Sequence, residues 1–120
     1  EHLGEGYFTF LKELYRVCQD GAIIDIRVPH HRHDYFFGDP THIRPITVEN
    51  LMRFDKDSKD GMQNFGKMLD INLEVVAYRH DVEEYWEKQF EGKTDQEIDF
   101  IARTYNNVIR EVFVKMKVKK

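Results

Sequence analysis

Apolar side chains recur every three or four residues from Tyr7 to Cys18: Phe8, Leu11, Leu14, Tyr15 and Cys18 share one side, and Lys12, Glu13 and Arg16 the other. That spacing predicts an amphipathic helix, with Gly21 placed to end it in a left-handed turn. The period then changes to two. Ala22, Ile24, Ile26 and Val28 alternate with Ile23, Asp25 and Arg27, which predicts a strand that Pro29 stops. Thr47 is a natural N-cap for a short helix from Val48 to about Phe54, with Glu49 in its first turn. Asp55–Lys67 is polar and glycine-containing and reads as a mobile loop. Ile71, Leu73, Val75 and Ala77 alternate with Asn72, Glu74, Val76 and Tyr78, giving a second strand. Val82–Phe90 reads as a short acidic helix whose Tyr85, Trp86 and Phe90 form a core-facing stripe. Thr94-Asp95-Gln96-Glu97 is a capping box for a further helix with Ile98, Ile101, Ala102 and Tyr105 inward. From Asn107 the period is two again, with Val108, Val112, Val114, Met116 and Val118 on one face of a third strand. Three strands with helices between them predict a layered α/β sheet.

Composition narrows the class. A chain of 120 residues that is 41% apolar and 13% aromatic folds as a single globular domain. The net charge of −4 hides an uneven distribution: residues 81–99 carry eight acids against Lys88 and Lys93, whereas Val114–Lys120 is basic. One short lysine run does not make the broad cationic surface that nucleic acid needs, so no nucleic-acid partner is expected. Cys18 is the only cysteine, which excludes an internal disulfide and makes a reducing, cytoplasmic setting the expectation. On the apolar helix face it reads as an inert thiol. No apolar run is long enough to span a bilayer, so no membrane partner is expected. Asp55–Gly61 has the flavour of a calcium loop, but its sixth position is Asp60 rather than glycine and its twelfth Gly66 rather than glutamate.

Several local sequences are similar to one family. Phe10–Val28, FLKELYRVCQDGAIIDIRV, resembles the "LxELxRVLKPGG" helix-then-strand pattern of class I S-adenosylmethionine-dependent methyltransferases; Leu11, Glu13, Leu14, Arg16, Val17 and Gly21 match. His42–Leu51, HIRPITVENL, is similar to that family's "HxRxFTPExL", and Glu1-His2-Leu3 to the end of its "LEHL" motif. The resemblance implies a partial Rossmann-like methyltransferase sheet: a parallel-type strand at Ala22–Val28 plus an antiparallel C-terminal hairpin, the family's seventh strand lying beside its fifth. Ile71–Tyr78 and Asn107–Val118 would be the hairpin arms, with a helical insertion at about 82–106, all within one domain over 1–120. S-adenosylmethionine is the implied cofactor, yet the strands and glycine-rich turn that seat it have no counterpart, since Gly4-Glu5-Gly6 follows no strand. The expectation is therefore the C-terminal, substrate-side half of a methyltransferase acting on a small-molecule or sugar-type acceptor, inactive as this segment alone. Its bared sheet edge predicts a homo-oligomer.

The candidate chemistry lies between the first strand and Thr47, where four of the six histidines fall. A polar loop leaving a strand end is where open α/β sheets place ligand sites. Under the resemblance, His30, His33 and Asp34 are the candidate catalytic residues, one of them taking the acceptor's proton. Tyr35, Phe37, Asp39 and His42 would bind the acceptor, and Arg44 would hold an anionic group or anchor the loop. A metal site built from His31, His33 and His42 is a second reading. In the third, the loop packs on itself through Asp–Arg pairs, an Asp39-Pro40 turn and a His42–carbonyl bond. A small metal-binding protein and an interaction domain presenting the aromatic helix Val82–Phe90 are the rival functions.

Overall fold

The computed structural model describes Glu1–Lys120. Helix α1 (Tyr7–Val17) has Gly6 at its N-cap and an extended Cys18 at its end; Gly21, at φ +80°, then supplies the left-handed turn into strand β1 (Ile23–Pro29). Two short helices follow, α2 (Asp34–Phe37) and α3 (Val48–Met52). Thr47 caps α3 as its sequence position predicts, its side chain accepting from Asn50 N–H at 3.0 Å. Helix α4 (Phe65–Leu69), capped by Asn64, occupies the end of the expected loop and leads into β2 (Leu73–Val82). Helices α5 (Glu84–Gln89) and α6 (Asp95–Thr104) separate β2 from β3 (Ile109–Val118), and the capping box at Thr94 and Glu97 is complete.

The three strands form one open sheet in the order β1-β3-β2. β3 is antiparallel to both neighbours, with Ile26 opposite Val114 on one side and Tyr78 opposite Val114 on the other. The expected antiparallel pairing of the last two strands is present, and β1, expected as a parallel-type strand, pairs only antiparallel: the last strand enters between β1 and β2, and every ladder is antiparallel. What is established is a mixed α/β chain with a three-stranded antiparallel sheet.

A β-bulge in β2 changes which side chains face inward. The register steps from Val75 opposite Met116 to Ala77 opposite Lys115, so Val76 is an extra residue. Strict alternation from Ile71 would send Arg79 inward. After the bulge it is Tyr78 and His80 that share the face of buried Val114 and Val112.

The core lies on that face alone. Val112, Val114, Met116 and Val118 of β3 meet Leu11 of α1, Leu51 of α3, and Phe54, Ile71 and Leu73, all at most 2% exposed. Around Phe54 the rings of Tyr7, Phe8 and Phe65 stand 6.0–6.3 Å away. Gly66 is obligatory here: a Cβ would sit 2.6 Å from the Phe54 carbonyl oxygen and 2.9 Å from Lys56 N. The opposite face carries Asp25, Arg27, Arg79 and Lys115, with Arg27 and Arg79 flanking the Phe113 ring at 5.5 and 4.3 Å. An antiparallel sheet tolerates such a solvated side, which is why only 19 of 120 residues are buried. The α5 stripe is a further correction. Tyr85 is 67% exposed and neither α5 nor α6 buries a residue; Trp86 instead packs locally on Phe90 and Tyr105 at 5.7 and 5.9 Å. No helix is long and apolar enough to cross a membrane.

Candidate functional site

A cavity of about 490 Å³ opens where β1 ends. His30 and His31 form one wall, Glu49 in the first turn of α3 another, and His80 on β2 a third. Val112 and Ile109 line it from β3, and Asp99, Ala102 and Arg103 from α6. A volume of this size suits a small organic molecule.

Three imidazoles meet at this cavity. The His30 ring lies 4.3 Å from that of His31 and 6.1 Å from that of His80. His30 is buried, and its Nδ1 accepts the Arg32 N–H at 3.1 Å. Burial, reinforced by His31, His80, Arg32 and His33, lowers its pKa from 6.5 to about 4. The neutral ring therefore carries its proton on Nε2, which has no hydrogen-bond partner within the protein, and offers a donor rather than a base. His31 makes no hydrogen bond through its ring; burial and Arg32 lower its pKa, while Glu49 opposes them. His80 is more exposed, yet partial desolvation lowers its pKa too, against the pull of Glu49 and Asp99. Arg103 pairs with Asp99 at 2.9 Å, whereas Glu49 has no ionic partner within 4 Å and stays free to face the imidazoles.

The other residues singled out by sequence go elsewhere. His33, 4% exposed, caps α2: its Nδ1 accepts the Tyr35 N–H at 3.0 Å and its Nε2 donates to Glu83 Oε1 at 2.6 Å. With both nitrogens engaged, it ties the loop to the end of β2 and cannot act as the expected base. Asp34 exchanges two hydrogen bonds with Asn107, whose φ of +60° this pairing holds in place. Tyr35 and Phe37 do not wall a pocket. They are 55% and 70% exposed, because the turn of α2 sends Phe36 inward to stack on His42. Arg44 anchors rather than binds an anion: Nε and Nη2 donate to the carbonyls of Leu3 and Gly4 at 3.2 Å, and the guanidinium covers the Tyr7 ring at 4.7 Å. Asp39 accepts from both the backbone and hydroxyl of Thr41, which hold its carboxyl below the usual range. His42 donates from Nδ1 to the Phe36 carbonyl at 2.8 Å. The metal reading of His31, His33 and His42 fails on geometry: the one group of three ligand side chains that converges is Glu1, His2 and His42.

His80, Glu49 and Asp99 escaped the sequence reading. His80 depends on the bulge, and Asp99 on α6 reaching the same cavity; neither has a local signal. Glu49 did have one, since a carboxylate in a first helical turn beside a histidine-rich loop is a candidate partner for imidazole. No family model matches the chain, and neither the curated proteins nor the solved structures contain a match to it.

Proposed function

We propose that this chain is the substrate-side part of a class I S-adenosylmethionine-dependent methyltransferase, and that the His30–His31–His80 cavity holds its small-molecule or sugar-type acceptor. The observation carrying this reading is the cavity itself, a wall of neutral imidazoles at the carboxyl end of β1 facing an unpaired carboxylate. The insertion of β3 between β1 and β2 supports it, being the order the resemblance implies for the last three strands.

Residues 1–120 do not by themselves fit the cofactor: the only Gly-x-Gly, at Gly4 and Gly6, follows no strand, and Gly6 caps α1. In this reading the seat lies outside residues 1–120. What these residues do is bind and deprotonate the acceptor. His30 donates its Nε2 proton to an acceptor oxygen and orients it. His31, whose ring nitrogens are free, takes the proton that the acceptor hydroxyl or amine gives up, and Glu49 stabilises the imidazolium formed.

The test uses the protein encoded by the full reading frame. It is expected to bind S-adenosylmethionine in calorimetry. His31→Ala should leave that binding unchanged and slow methyl transfer by about 10²- to 10⁴-fold. A full-frame protein that binds no S-adenosylmethionine overturns the reading.

A further inference from the structure

Away from the cavity, the opening segment Glu1–Gly4 is held against the loop 39–44. The Glu1 carbonyl accepts the N–H groups of Ile43 and Arg44 at 2.9 and 3.2 Å, and the Arg44 side chain clamps Leu3 and Gly4. This brings the side chains of Glu1, His2 and His42 to one point, with Asp39 beside His42. Glu1 Oε1 lies 3.6 Å from His2 Nε2 and 3.7 Å from His42 Nε2, and Asp39 Oδ2 lies 3.5 Å from His42 Nε2. No hydrogen bond forms among these four atoms, yet the ligand atoms of Glu1, His2 and His42 all fall within 4.8 Å of one another.

Both imidazoles are set with an Nε2 lone pair toward that point. His42 Nδ1 gives its proton to the Phe36 carbonyl, which leaves Nε2 as the acceptor. The Thr41 hydroxyl, 2.6 Å from Asp39 Oδ1, spends its single proton on that carboxylate. Its remaining contact, to His2 Nδ1 at 2.9 Å, therefore requires the ring to donate, and His2 Nε2 is left bare. Carbonyl or hydroxyl partners that fix the outer nitrogen of each imidazole are the usual support of metal-bound histidine. A four-coordinate metal with bonds of about 2.0–2.1 Å has ligand–ligand edges of about 3.3–3.4 Å. The three separations here lie slightly above that and well beyond the about 3 Å edges of octahedral magnesium.

We propose that Glu1, His2 and His42 form a binding site for one Zn²⁺-class divalent cation, bound through two imidazole nitrogens and one carboxylate oxygen, with Asp39 beside His42 at its rim. Three protein ligands leave the fourth position to water, and the ion staples the segment before α1 to the loop after α2. The His42 side chain is 9% exposed and that of Glu1 19%, which makes the inner part of the shell pre-formed, while His2 completes it from the solvent side.

The experiment is a titration of untagged chain, its Glu1 α-amine acetylated so that no terminal amine competes, with Zn²⁺ by calorimetry and with Co²⁺ by visible absorption. One equivalent is expected to bind, with the intense visible bands of four-coordinate Co²⁺, and affinity should fall with falling pH, because protons compete for the ligand nitrogens. His2→Ala, a change at an exposed side chain that leaves the circular dichroism unaltered, should abolish the stoichiometric binding. Thr41→Val should weaken it by about 10- to 100-fold by releasing the His2 ring. Wild-type chain that takes up no equivalent overturns the proposal, as does His2→Ala binding like wild type or binding lost on His31→Ala or His33→Ala instead. Neither cofactor nor acceptor enters this measurement, so its failure is separate from failure of the methyltransferase reading.

Discussion

Acid should destabilise this protein through His30 in a way that one substitution removes. In the unfolded chain the imidazole titrates near 6.5; in the fold, burial among His31, His80 and Arg32 brings it to about 4. The folded state thus binds fewer protons than the unfolded state between those values. The sign follows: stability is complete above pH 6.5 and is lost as pH falls towards 4, because only unfolding lets the ring take its proton. At about 1.4 kcal/mol per pH unit, the fall from 6.5 to about 4 corresponds to about 3 kcal/mol. A domain of this size has only about 5–15 kcal/mol in all. Carboxylates with lowered pKa values, such as Glu111 held by Arg27, add acid sensitivity of the same sign. A difference measurement cancels them. His30→Asn retains an oxygen that can accept the Arg32 N–H and cannot titrate. Urea unfolding of wild type and His30→Asn at pH 7 and pH 4 should show wild type losing about 3 kcal/mol more than the variant. Equal losses in the two proteins, or a His30 NMR titration midpoint near 6.5, would refute the argument.

Gly66→Ala should destabilise by about 2–4 kcal/mol in the same assay, since the added Cβ meets only backbone atoms, 2.6–3.0 Å away, and none can move aside cheaply; a cost within 0.5 kcal/mol would mean that α4 shifts freely. Deleting Val76 should remove the bulge yet keep His80 opposite Val112 on the cavity face, so that its NMR titration midpoint stays lowered by burial. A midpoint that climbs towards 6.5 would show that Val76 is not the extra residue of the strand. The outer edge of β1 has no partner strand within the chain, and light scattering is expected to show self-association rising with concentration; a monomer at every concentration contradicts this.

Elements with strong local signals were legible in the chain. The helix at Tyr7–Val17, the caps at Thr47 and Thr94, the left-handed Gly21 and the apolar face of β3 all follow from side-chain period and turn chemistry acting over a few residues. Helices α2 and α4 were missed, since four- and five-residue turns carry no period and are held by contacts to Glu83, Asn107 and Arg53 instead. The concentration of histidines after β1 is legible in the chain, but not which of those side chains are free. His33 is taken up by a glutamate 50 positions away, and His42, held by Phe36 of its own loop, also meets His2 from the opening segment.

What sequence determined alone is thus the longer helices and the strands, the core faces of α1 and β3, and the concentration of imidazole after β1. Tertiary structure decided the rest: the middle position of β3, the bulge that brings His80 inward, and the division of the histidines between a cavity and the Glu1–His42 cluster. The reason is range. Period and capping act between residues a few positions apart, whereas strand order, register and the cross-chain imidazole contacts are set by groups far apart in sequence, whose placement exists only once the sheet has closed.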